Sequence, residues 1–203
     1  EASDGVGRFG KAGCFVFVRD RIAELANFHR EVGVLGKREI VESLDREFAR
    51  LHSNSSALIE QTSIDILYAV PALTPASGQL PAIGGSVLRA AAAIEQTFGG
   101  ITANLWDDPF EWTLPEYLST PAKVIDHLAE VEATRKRAFS SFTDDGCLLQ
   151  KIAVPSGDTR PLIDLLLETL VRAAAHQAEA LLVLKSLSGI SPQGFNIQAG
   201  WLS

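Results

Sequence analysis

Val87, Ala91, Ile94, Phe98, Ile101 and Leu105 follow one another by alternating steps of four and three residues. Residues with that period lie on one narrow line of an α-helix, and such a line is buried where helices pack nearly side by side, crossing at about 20°. This segment commits the chain to helix-on-helix packing, and the run Ala90-Ala91-Ala92-Ala93 lets a neighbouring helix approach closely.

Three other segments obey the same geometry. Ile40, Leu44, Phe48, Leu51, Ser55 and Leu58 predict a first helix starting near Lys37, with one buried face, stopped by Pro71 and Pro75. The second helix is expected to start at Gly85-Ser86 and to end at Pro109. Thr120-Pro121, a capping residue followed by proline at the first helical position, opens a third. Its buried stripe is Val124, Leu128, Val131, Ala138 and Phe142, and Asp144-Asp145-Gly146 breaks it. Asp158-Thr159-Arg160-Pro161 reads as another cap-and-proline start. The fourth helix then runs through Leu162, Leu165, Leu166, Leu170, Ala174, Leu181 and Leu184 to Gly189. Because that helix is apolar around much of its circumference, it is expected at the centre. Only residues 15–18 have a strand-like pattern, so the fold class is all-α. The expected organisation is an N-terminal extension at 1–36, a helical bundle at 37–190 and a C-terminal tail at 191–203.

A net charge of −7 over 203 residues excludes a general nucleic-acid binder, which needs a concentrated basic surface. The compact basic run Arg135-Lys136-Arg137 sits among acidic residues and is expected to be a solvated helix face. Cys14 and Cys147 are too few for a disulfide framework and are read as reduced thiols. No stretch approaches the roughly 18–20 apolar residues of a membrane span, so no membrane partner and a cytoplasmic location are expected. The opening Glu1-Ala2-Ser3 suggests that the natural start precedes it.

Two segments, taken together, resemble the DinB/YfiT-like superfamily. Residues 85–98, from Gly85-Ser86-Val87-Leu88-Arg89 to Gln96-Thr97-Phe98, are similar to its second-helix signature. Residues 165–179, including Leu170-Val171-Arg172-Ala173-Ala174-Ala175-His176, are similar to its last-helix signature. A Leu67-Tyr68-Ala69-Val70-Pro71 turn falls in the matching place after the first helix. The resemblance implies a four-helix up-down-down-up bundle with additional N-terminal material. It also implies a divalent metal held by three histidines, one on the second helix and two at i and i+4 on the last. Carried over position by position, those histidines fall at Ala90, Arg172 and His176, and only His176 is retained. Arg172 brings a permanent positive charge that repels a cation. No metal or other cofactor is therefore expected; a residual metal would use His176 and Glu179, with Glu95 rotated off the expected face.

Arg172, His176 and Glu179 recur by four and three, so they share one face of the last helix. With Ala90 they define a candidate polar pocket for a small molecule or anion, or alternatively an internal ion network where metal once sat. The leading expectation is a diverged DinB-like protein that binds a small ligand or a protein partner. The alternatives are a metal- and thiol-dependent transferase or isomerase, and a structural homo-oligomer, a homodimer above all, built on the apolar tail around Trp201. His29, His52 and His127 read as surface or hydrogen-bonded residues. The cluster Asp107, Asp108 and Glu111, between Trp106 and Trp112, lacks the regular ligand pattern of a calcium loop. Gly84-Gly85-Ser86 reads as ordinary capping.

Overall fold

The computed structural model describes residues 36–70, 81–109 and 117–188. Residues 1–35 of the expected 1–36 extension, Pro71 and Pro75, the expected helix end at Gly189, the tail at 191–203, and Cys14, His29, Glu111, Trp112 and Trp201 lie outside them.

Apolar periodicity becomes helix α1 (Glu39–Glu60), a short α2 (Ile64–Leu67), α3 (Ile83–Ala103), α4 (Pro121–Ser141) and α5 (Leu162–Ser188). A 3-10 turn (Asp145–Leu149) and a hairpin of β1 (Lys151–Ala153) and β2 (Thr159–Pro161) join α4 to α5. The class is all-α. Among the described residues no helix is long and apolar enough to cross a membrane.

The most extensive packing is α3 against α5, followed by α4 against α1 and α3, and α1 against α5. Paired residues give the directions. Asp45 meets Arg135 and Arg38 meets Phe142, so α1 and α4 are antiparallel. Thr97 meets Thr169 while Ser86 meets Glu179, so α3 and α5 are antiparallel. Phe48 touches Phe98, whereas Leu51 and Ser55 approach Ala90, so α1 and α3 are antiparallel across the diagonal. α1 and α5 therefore point one way and α3 and α4 the other.

Phe48, Phe98 and Phe139 meet at centroid distances of 5.4–5.7 Å, in tilted or edge-on contact. Each buried phenyl contributes roughly 1.5–3 kcal/mol, so this trio from three helices fixes which faces meet. The helix ends are tied reciprocally. Asp145 Oδ1 accepts from the backbone N–H groups of Ile40 and Val41 at 3.1 and 2.9 Å, supplying the cap that α1 lacks locally. Arg38 in turn donates to the last carbonyls of α4, at Phe142 (2.6 Å) and Phe139 (3.3 Å). Thr120 caps α4 with Pro121 at its first position, as its sequence signature predicts.

Several expectations are corrected. Ile40 is 50% exposed and Val41 takes its place inside, because the stripe through Leu44 and Phe48 continues backward by three residues rather than four. α3 begins at Ile83, ahead of Gly85-Ser86, and ends at Ala103 rather than Pro109. Asn104 adopts the left-handed conformation there (φ 55°), leaving Leu105 outside the helix and exposed. Thr159–Pro161 is a strand, not a helix start. Three-residue strands are too short to show alternation, and their antiparallel pairing with Lys151–Ala153 supplies the order. Finally, α5 is not central. Leu167, Val171 and Leu182 are exposed on its outer side, and Ala173 rather than Ala174 points inward.

Candidate functional site

Two polar regions of opposite character occupy the helix seams. The first is open and lies between α3, α5 and the hairpin. At the end of α3, Leu105 N–H donates to Gly99 O and Asn104 N–H to Gly100 O, a left-handed helix stop at Asn104 that folds the chain back. Trp106 then lies directly on the α3 backbone at Gly100, where any Cβ would collide with the indole. Gln96 joins this corner to α5: its Nε2 donates to Trp106 O at 2.9 Å, and its Oε1 accepts from Arg172 Nη2 at 3.3 Å. The hairpin carries Arg160 over the same seam, where it pairs with Glu168 at 2.6 Å.

These residues line a groove of about 200 Å³, floored by Thr97 and Thr169 and walled by Val154, Pro155 and Leu165. Among the described residues Arg172 has no carboxylate within ion-pair distance, whereas the charge of Arg160 is matched by Glu168. The groove thus holds one uncompensated guanidinium, a fixed planar donor suited to carboxylate or phosphate oxygens.

The residues expected as one site are divided among neighbouring places. Arg172 lines the groove. His176 is one turn further along α5; its Nδ1 lies 3.0 Å from Glu179 Oε2, and Ser86 Oγ approaches the same carboxylate oxygen at 3.5 Å. Ala90 is inside the bundle, lining a small cavity with Ala173 and Gln177, a pair four residues apart and one residue round the helix from Arg172 and His176. Glu95 faces α4, with its Oε2 4.0 Å from His127 Nε2. Among the described residues no group of three His, Cys, Asp or Glu side chains converges as a metal site.

The second polar region is closed. Gln177 Nε2 donates to Leu51 O (2.7 Å) and to Ser55 Oγ (2.8 Å), and its Oε1 accepts from Asn54 (3.3 Å). Nearby, Arg135 is 2% exposed, correcting its expected place on a solvated face. It grips Glu132 with two bonds of 2.7 Å, pairs with Asp45, and stacks on the Phe139 ring at 5.3 Å. Burial opposes the Glu132 charge, but the hydrogen bonds and charge of Arg135 outweigh it and hold this carboxyl below its usual range. Burial disfavours charging of His52 and, against the pull of Glu132, lowers its pKa. Cys147 is a buried cysteine with no disulfide among the described residues; burial raises the pKa of its thiol, which makes it a poor nucleophile.

Gln96, Arg160 and Glu168 were not among the sequence candidates. The signal for the corner was Gly99-Gly100 followed within a few residues by Asn104 and Trp106; Arg160 reaches the groove only through the hairpin. Comparison with family models, curated proteins and solved structures found no match to this chain.

Proposed function

We propose that this chain is a diverged DinB/YfiT-like bundle that binds a small anionic ligand, without metal, on the seam between α3 and α5. The helix order, the helix directions and the Leu67-Tyr68 turn ahead of α3 support the family reading. One observation carries the binding reading: Arg172 stands in a groove of about 200 Å³, held by Gln96 and unmatched by any described carboxylate. A guanidinium already oriented loses little freedom when an oxyanion arrives.

Thermal unfolding with added acetate or inorganic phosphate tests this. A ligand at 100 times its Kd stabilises by about 2.7 kcal/mol, which raises Tm by several degrees in a domain of this size. The rise is expected in the wild type and absent in Arg172→Met. Flat melting curves for both proteins, or equal rises in both, contradict it.

A second reading draws on the contact between His176 Nδ1 and Glu179. A carboxylate at one imidazole nitrogen orients the ring and leaves Nε2, which has no bond among the described residues, to act as base or ligand. That arrangement would suit a metal- and thiol-dependent transferase or isomerase. Stoichiometric zinc, nickel or iron in protein purified without chelator, lost in His176→Ala, would favour this reading over the first.

A further inference from the structure

The walls of the same groove narrow the class of anion. We infer that it accepts a planar aromatic monocarboxylate, with the carboxylate on Arg172 and the ring against Trp106; this rests on the anion-binding reading. Gln96 is bonded at both ends, to the Trp106 carbonyl and to Arg172, so it ties the guanidinium to the backbone that carries the indole. Among the described residues Arg172 makes one hydrogen bond, which leaves the rest of its fork for a carboxylate. Trp106 is held from behind by α3 at Gly100, so it is a rigid wall. Val154 and Pro155 of the hairpin and Leu165 of α5 give the open groove an apolar side against which a ring can lie.

The floor argues against a second anionic group. Thr169 donates its hydroxyl proton to Leu165 O at 2.7 Å, so the 2.6 Å bond between Thr97 and Thr169 must be donated by Thr97. With both protons engaged, the floor offers lone pairs only, which repel a further carboxylate or phosphate oxygen. The charge balance agrees, since Arg160 is already matched by Glu168 and a single guanidinium remains. A groove of about 200 Å³ has room for a single-ring acid, below the roughly 300–1,000 Å³ of sites for drug-sized ligands.

Calorimetric titration of the full chain with benzoate, cyclohexanecarboxylate, acetate and inorganic phosphate distinguishes the two levels of the proposal. Benzoate should bind at least about tenfold more tightly than acetate or phosphate, and more tightly than cyclohexanecarboxylate, through ring stacking on the indole. Arg172→Met, on an exposed position, should keep the wild-type melting curve and lose benzoate binding. If acetate, phosphate and benzoate bind alike and Arg172→Met abolishes all three, the anion site stands and the aromatic class falls. Equal affinity for benzoate and cyclohexanecarboxylate also overturns the planar class. If no anion binds, or binding persists in Arg172→Met, both readings fall.

Discussion

Arg135 and Arg172 belong to the same bundle and do opposite things. Arg135 is sealed between α1 and α4, with Glu132, Asp45 and a phenyl ring consuming its charge and its donors. Arg172 stands on an open seam with one amide contact and no described counter-ion. A buried charge with partners is part of the structure, and removing one partner strands the other in a poor solvent. An exposed charge without partners contributes little to folding and is free to meet a ligand. The sequence around each, a basic residue on a helix among alanines and acids, does not separate these roles.

The contrast can be broken most forcefully at Arg135. Arg135→Met should destabilise by about 3 kcal/mol in urea unfolding, because Glu132 stays buried with only the exposed Lys136 ammonium, at 3.4 Å, beside it. Adding Glu132→Gln to that variant should recover part of the loss; a single-variant cost below about 1 kcal/mol would dissolve the distinction between the two arginines. Next in size is Gln177→Ala, which leaves the Asn54 and Ser55 side chains without their partner and should cost about 1–3 kcal/mol in the same measurement.

How far these regions were legible in the sequence follows from helix geometry. The three- and four-residue steps through Leu44, Phe48, Ile94, Phe98, Val124 and Leu128 marked buried faces correctly, because those residues have no polar alternative. On α5 the pattern was ambiguous, since Leu167, Val171 and Leu182 look as apolar as the core positions yet lie outside. A helix turns about 100° per residue, so a one-residue phase choice decides whether Arg172 and His176 or Ala173 and Gln177 face Ala90, and only the neighbouring helix resolves it. The Asp145 cap on α1 and the hairpin that delivers Arg160 depend on contacts across long stretches of chain, which periodicity does not register.

Acid provides a milder probe of the closed region. His52 and Glu132 both have depressed pKa values in the fold, so the unfolded chain binds protons first at each. Their stability contributions are complete above the unfolded values. They should decline as pH falls, first below about 6.5 for His52 and then below about 4.3 for Glu132. Chemical unfolding from pH 8 to about pH 2 should show this two-stage decline, with His52→Gln flattening the upper stage. Smallest of all on stability is Arg172→Met, expected within about 0.5 kcal/mol of wild type while its anion response disappears.

The most direct measurement is to follow the arginine side-chain Nε–H signals by NMR while acetate is titrated into the full chain. The Arg172 signal should shift and saturate, and the Arg135 signal should stay fixed because its donors are already taken. An unmoved Arg172, or equal shifts at both arginines, would contradict a ligand site on the open seam.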